Sequence, residues 1–94
     1  MEQPARPVGL VLQSCVPNPG SAIFSLSWSS EVSGTSGVRV YDISGRLRLA
    51  QELGLMPEGE HSLQIDLQNE PSGCYLVVVY CGPDRASTKL VVLR

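Results

Sequence analysis

Residues 38–47 read V-R-V-Y-D-I-S-G-R-L, and this stretch decides the fold class. Val38 and Val40 alternate with less apolar neighbours, which is the period of a strand with one buried face. Asp42 and Gly45 then interrupt the alternation. An aspartate can hydrogen-bond backbone amides two residues on, and glycine takes positive φ without steric cost. Leucines resume the alternation after the turn, so the stretch predicts a β-hairpin in the middle of the chain.

Short runs of the same kind recur along the whole chain, separated by turn residues about every 8–12 positions. They predict further strands over residues 8–15, 22–29, 61–67, 74–81 and 86–93. No stretch has helical periodicity of useful length. The pattern predicts an all-β fold, an immunoglobulin-like antiparallel β-sandwich of about seven strands.

Two of these strands predict how the sheets are buried. In residues 22–29, Phe24, Leu26 and Trp28 share one face and serines the other, which is typical of a strand with one face in a core. Residues 74–81 are apolar on both faces, which predicts a central strand covered on both sides or nearly so. The predicted core is Phe24, Leu26, Val38, Val40, Leu63, Ile65, Tyr75, Val77 and Val79.

The loops between the strands are rich in glycine, serine and proline. Residues 30–37 and 52–60 are predicted to be loops, the second anchored by Leu55 or Met56. Tyr75 follows a Ser-Gly pair at a strand start, where immunoglobulin-like sandwiches carry a tyrosine corner.

The 94 residues suffice for one domain with one core. Residues 1–7 contain two prolines and no apolar run, so they are predicted to be a linker or a cloning remnant rather than a signal peptide. The folded domain is predicted over residues 8–94. The chain is interpreted as a module cut from a larger protein.

Charge and hydropathy argue against a nucleic-acid partner and against a membrane-spanning helix. The formal net charge is −2 and the pI about 5.2, which argues against nucleic acid, where a basic stripe is expected. No window approaches the 18 apolar residues of a transmembrane helix.

The three cysteines do not form an obvious disulfide framework, since an odd number leaves at least one free. Cys74 and Cys81 lie on one predicted strand, about 23 Å apart, too far to pair. Pairing of Cys15 with Cys74 stays open if their strand ends lie together. The simpler expectation is three small buried or half-buried thiols.

Side chains able to do chemistry are scattered. His61 is the single histidine, and with three dispersed cysteines it offers no metal site, which needs three or four converging ligands. The chain has no G-x-S-x-G elbow and no phosphate-binding glycine loop. We expect no catalytic residues, no cofactor and no metal. Trp28 is expected in the core, with a sugar-stacking surface as the alternative.

Four segments in chain order carry a resemblance to a known family. They are P-N-P at 17–19, Y-D-I-S-G-R at 41–46, P-S-G-C-Y at 71–75 and K-L-V-V-L-R at 89–94. Together they resemble the type A C-terminal sorting domain of the type IX secretion system, and its relative, the immunoglobulin-like domain of the flagellar hook-capping protein.

The resemblance assigns two sets of residues. The structural positions are Pro17, Asn18, Pro19, Tyr41, Asp42, Gly45, Arg46, Gly73 and Tyr75. The sorting motif is Lys89, Leu90, Val91, Val92, Leu93 and Arg94, which forms the predicted terminal strand. As an edge strand at the end of the chain, this motif is predicted to be accessible for pairing with a partner strand.

The resemblance implies a non-enzymatic module that directs an exported cargo protein through the periplasm and across the bacterial outer membrane, to the cell surface or the medium. Its implied partners are secretion-machinery proteins of the outer membrane and a sortase-like protease. The alternative is an accessory immunoglobulin-like spacer or carbohydrate-binding module of a secreted enzyme, with Trp28 or Tyr41 as the sugar-stacking residue. The sequence leaves the oligomeric state open.

Overall fold

The computed structural model describes residues 9–93, which fold into seven strands. Most of the strands contain a run that alternates in the sequence, and this alternation places apolar side chains on one face. The strands are β1 (Leu10–Val16), β2 (Ile23–Ser30), β3 (Gly34–Asp42), β4 (Leu47–Met56), β5 (Gly59–Asp66), β6 (Gly73–Cys81) and β7 (Asp84–Val92). The predicted linker at residues 1–7 lies outside the described residues.

The strands form two antiparallel sheets, one with the order β1-β2-β5 and one with the order β4-β3-β6-β7. Their facing sides enclose the core, as in other β-sandwiches. This confirms the predicted all-β, immunoglobulin-like sandwich. The first strand, β1, lies at one edge of the three-stranded sheet, and the terminal strand β7 lies at one edge of the four-stranded sheet, as predicted for it.

The core contains the predicted residues with one exception. Leu63 packs against the core but is only half-buried, because β5 is the edge strand of its sheet. Trp28 is also in the core, as expected. The remaining core members, which the predicted list did not include, are Leu10, Cys15, Leu67, Cys81, Leu90 and Val92.

The prediction that residues 74–81 form a central strand is confirmed, but the expectation that this strand is covered on both sides, or nearly so, is wrong. β6 is central in its sheet, and Tyr75, Val77 and Val79 are buried on its inner face. On the opposite face, however, Leu76 is 42% exposed and Val78 is half-buried. Residues 9–93 form two layers, so among them nothing covers the apolar side chains on the outer side of this sheet.

Two predicted loops are largely strand. β3 begins at Gly34, within the predicted loop 30–37, and a Cβ atom at Gly37 would collide with the Tyr80 ring. Glycine is therefore the residue that lets this strand pass Tyr80. β4 extends to Met56, within the predicted loop 52–60. Of the two predicted anchors, Leu55 is 77% exposed and Met56 is half-buried.

Candidate functional site

A polar contact joins the turn after β1 to the last residues of β7. Asn18 donates from Nδ2 to the Lys89 carbonyl at 2.9 Å and accepts at Oδ1 from the Val91 amide at 3.0 Å. The Gly20 amide donates to the Val91 carbonyl at 3.1 Å, and the Gly20 carbonyl accepts from the Leu93 amide at 2.8 Å. We call this set of hydrogen bonds the clasp. It connects the first and the last of the four sequence segments.

The turn that carries the clasp has a specific backbone shape. The peptide bonds that precede Pro17 and Pro19 are both cis. A Cβ atom on Gly20 would lie 2.6 Å from Cε2 of Phe24 and 2.8 Å from the Pro17 carbonyl oxygen. Only glycine fits there, so the sequence P-N-P-G brings the Asn18 side chain and the Gly20 backbone against β7.

The sorting motif divides between core and surface. Leu90 and Val92 are fully buried, Val91 is half-buried, and Lys89 and Leu93 are exposed. Arg94 lies outside the described residues. The motif therefore holds β7 in the sandwich through one face of the strand and leaves side chains at the surface on the other.

The clasp corrects the expectation that the whole edge of the terminal strand is open to strand addition. The backbone groups that face outward from Lys89 to Leu93 already bond to Asn18 and Gly20. Along an antiparallel edge strand, every second residue directs its backbone amide and carbonyl to the open edge, so the backbone groups of Arg85 and Ser87 also face this edge. No strand of the described chain pairs with them there.

The turn between β3 and β4 is organised by Asp42. Its Oδ1 accepts hydrogen bonds from the Ser44 amide at 2.9 Å, the Ser44 hydroxyl at 2.6 Å and the Arg46 amide at 3.0 Å. Gly45 has φ +89° and donates its amide to the Asp42 carbonyl at 3.0 Å. Both sequence expectations for this turn, the aspartate bond two residues on and the positive φ, are confirmed.

The hydrogen bonds to Asp42 also favour the ionised form of its carboxyl. The Ser44 hydroxyl, with help from the Arg46 and Ser44 amides and from the charge of Arg48, lowers the pKa of the Asp42 carboxyl. Arg48 lies 3.8 Å from Asp42 Oδ2 and donates from Nε to Glu70 at 2.7 Å. Arg48 thus links the turn after β3 to the loop before β6.

That loop carries the predicted tyrosine corner. Tyr75 is 4% exposed, and its hydroxyl donates to the Pro71 carbonyl at 2.5 Å. Gly73 begins β6 two residues before it. The corner fixes the entry to β6 beside the Asp42 turn, because Asp42 and Tyr75 are register partners across β3 and β6.

These segments meet at a pocket of about 410 Å³ at the end of the four-stranded sheet. Tyr41, Ile43, Cys74, Leu76 and Lys89 line it, together with the Asp42 turn and Tyr75. Three of the four family segments contribute to its walls. Sequence reasoning missed Ile43 and Leu76, although the apolar outer side of residues 74–81 was a visible signal.

Of the residues considered for other chemistry, Tyr41 lines this pocket, whereas Trp28 and His61 lie elsewhere. Trp28 is 1% exposed, so it cannot present a ring face to a sugar, and that alternative is wrong for Trp28. Its indole lies 5.8 Å from the ring of His61, centroid to centroid. Nε2 of His61 lies 2.8 Å from the Pro57 carbonyl oxygen, and the histidine is half-buried. Both residues pack at one end of the three-stranded sheet.

The cysteines are all free. Cys15 and Cys81 are buried, whereas Cys74 is exposed on the outer side of β6, which corrects the expectation of three buried or half-buried thiols. Burial raises the pKa of the Cys15 thiol. Cys15 and Cys74 do not form the disulfide that the sequence had left open.

Within residues 9–93, no group of three or more histidine, cysteine, aspartate or glutamate side chains is placed to hold a metal ion. The same residues contain no helix of the length and hydropathy needed to cross a membrane.

Comparison with known proteins identifies a family. A family model described as the secretion system C-terminal sorting domain matches residues 14–93. The match spans the clasp, the Asp42 turn, the tyrosine corner and the described part of the terminal motif. A search of curated proteins gave no match.

Among solved structures, the chain is similar to the CARDB domain of the PF1109 protein from Pyrococcus furiosus, crystallised in complex with di-metal ions. The sequence identity is 17% and the TM-score 0.55, over 89% of this chain and 87% of that chain. A likeness at this identity concerns the fold alone.

Proposed function

Because the chain belongs to the secretion system C-terminal sorting domain family, we propose that it directs an exported cargo protein across the bacterial outer membrane through type IX secretion. Domains of this family are sorting signals of secreted bacterial proteins and not enzymes. Membership implies interaction with the type IX machinery and export to the cell surface or the extracellular space.

The finer proposal concerns the route. The cargo passes through the periplasm, outer-membrane components of the machinery bind the domain, and a sortase-like protease removes it. The sorting domain extends over residues 8–94, with residues 1–7 as a linker to the cargo. The domain itself is non-enzymatic.

The clasp is the observation that supports this function best. A signal that is read on a folded protein must keep one shape, and the clasp fixes the terminal motif at several backbone positions through Asn18 and Gly20. The buried Leu90 and Val92 fix the same strand from the inner side. We propose that the machinery reads the exposed side chains of this strand, since its edge from Lys89 to Leu93 is already occupied.

The test is export of a reporter. The full chain is fused behind a signal peptide and a reporter, and the reporter is measured in the periplasm, at the surface and in the medium of a type IX-competent bacterium. Deletion of residues 90–94 should leave the reporter in the periplasm.

Deletion also removes two buried side chains, so its control is a destabilised domain with an intact motif. Ile65→Ala serves this purpose, because Ile65 is buried and lies outside the motif. The proposal requires that the Ile65→Ala fusion is exported while the deleted fusion is not, with both intact in the periplasm by immunoblot. Export of the deleted fusion at the intact level refutes a role for the terminal motif.

A further inference from the structure

The outer side of the four-stranded sheet is apolar along its centre, although no further layer from the described part of the chain covers it. Tyr41, Leu76 and Lys89 are register partners that form one row across β3, β6 and β7. The next rows are Arg39, Val78 and Ser87, then Gly37, Tyr80 and Arg85. We call these three rows the outer face. An apolar patch rimmed by polar residues is typical of an interaction surface.

The 410 Å³ pocket lies at one end of the outer face, beside the row of Tyr41, Leu76 and Lys89. Ile43 stands next to it and is 86% exposed. The Asp42 turn holds Ile43 in place, because hydrogen bonds to Oδ1 of Asp42 fix the residues on its C-terminal side. The sandwich core does not need an isoleucine there, so its exposure is unexplained by folding.

The charges of the outer face are positive, although the whole chain has a net charge of −2. Arg39 is paired with Glu52 at 3.6 Å, and Glu52 also accepts a hydrogen bond from the Tyr80 hydroxyl at 2.6 Å. Arg85 and Lys89 are exposed on β7 and form no ion pair within residues 9–93. Among the described residues, the outer face therefore presents two cations without an ion pair, Lys89 at the apolar pocket and Arg85 two rows away from it.

We infer that the outer face is the docking surface for an acidic segment of an outer-membrane component of the secretion machinery. The segment inserts an apolar side chain into the pocket between Tyr41 and Leu76 and places carboxylates beside Lys89 and Arg85. Apolar anchors in pockets supply most of the affinity of an interface, and charges at the rim steer association. This inference rests on the proposed sorting function and names the chemistry of its partner.

The experiment measures binding of the purified full chain to outer-membrane vesicles from type IX-competent cells, and to vesicles from an isogenic strain without the type IX outer-membrane components. Two variants test the surface. Leu76→Ser removes the apolar wall, and the double variant Arg85→Gln/Lys89→Gln removes the two cations.

Each variant has a matched control on the three-stranded sheet. Ile23→Ser matches Leu76→Ser, because Ile23 is 43% exposed and Leu76 is 42% exposed. Gln13→Glu/Gln64→Glu matches the double variant, since both change the net charge by the same amount at exposed positions. Thermal melts of all proteins verify that the variants fold.

We expect the wild type and both controls to bind the competent vesicles, and both outer-face variants to lose roughly tenfold in affinity. Binding of the wild type should weaken as salt is raised, because exposed charges are screened. The corresponding fusions should be exported less than their controls.

Other outcomes overturn the inference. Equal export of wild type and outer-face variants refutes it and leaves the sorting function standing, whereas failure of the wild-type fusion to be exported refutes the sorting function. Equal binding to both kinds of vesicle indicates lipopolysaccharide phosphate in place of a protein. Self-association of the chain that Leu76→Ser abolishes, seen by sedimentation, assigns the face to a second copy.

Discussion

Asn18 Oδ1 accepts a hydrogen bond from the Val91 amide, 73 positions further along the chain, at 3.0 Å. The same side chain donates to the Lys89 carbonyl. One asparagine thus satisfies two backbone groups that an edge strand would otherwise expose to pairing with other chains. The first family segment protects and positions the last one, which explains why both occur in one short domain.

The first prediction concerns this asparagine. Asn18→Ala removes both hydrogen bonds, and since a typical one contributes about 0.5–1.5 kcal/mol and these are exposed, we expect a loss of about 1 kcal/mol in the free energy of unfolding. Hydrogen exchange should accelerate more at the Val91 amide than at Val77 in the centre of the sheet, because a central amide exchanges only through global unfolding. Asn69→Ala, at an exposed turn position, is the control. Unchanged protection of Val91 in Asn18→Ala contradicts the role of the clasp.

The second prediction concerns the core. Ile65→Ala should lower the free energy of unfolding by about 2–5 kcal/mol, because Ile65 is 1% exposed and its loss leaves a cavity. Ile43→Ala makes the same chemical change at a residue that is 86% exposed and should cost less than about 0.5 kcal/mol. Urea denaturation of both variants gives the comparison. Equal losses would mean that the strand register is wrong.

The third prediction concerns the left-handed turn. A Cβ atom at Gly45 meets no heavy atom within 4 Å, so any cost of substitution arises from φ +89° and not from a collision. Gly45→Val should destabilise the fold by more than about 1 kcal/mol, whereas Gly45→Asn should cost less, because asparagine tolerates positive φ. Chemical denaturation measures both. Equal effects of valine and asparagine would show that the turn does not impose this conformation in solution.

The fourth prediction concerns pH. The pKa of Asp42 is lowered in the fold, so its ionised form stabilises the protein above the ordinary carboxyl pKa of about 3.9, and this contribution is lost as the pH falls through the lowered value. Asp42→Asn keeps an acceptor oxygen but not the charge. The wild type should be more stable than the variant at pH 7, and the difference should shrink below about pH 4.

Denaturation curves at pH 7, 5, 4 and 3 measure that difference. Ser44→Ala, made in the otherwise wild-type protein, removes the hydroxyl that lowers the Asp42 pKa most. The free energy of unfolding of this variant should depend less on pH than that of the wild type. A stability difference between wild type and Asp42→Asn that is the same at all four pH values rules out this account of the turn.

The fold could be predicted where a pattern among neighbouring residues also determined the tertiary contacts. Strict alternation in β2 placed Phe24 and Leu26 correctly, and the Asp42 turn follows from side-chain chemistry within a few residues. The loop predictions were wrong for a different reason. Glycines at 34 and 37 signal a loop locally, but β3 uses Gly37 to pass the Tyr80 ring, a contact with a strand far away in the sequence.

The candidate site was predictable only as a set of segments. The motifs named Asn18, Asp42 and Lys89, but their spatial relation depends on cross-strand register, which no local pattern encodes. The apolar outer side of β6 was seen and assigned to burial, because alternation cannot distinguish a second covering layer from a surface kept for a partner.

The most direct test of the sorting function is the distribution of the wild-type fusion between two strains. The reporter carrying the full chain is expressed in a type IX-competent bacterium and in an isogenic strain that lacks the type IX outer-membrane components. We predict reporter at the surface or in the medium of the first strain and intact reporter retained in the periplasm of the second. The same distribution in both strains would contradict the sorting function.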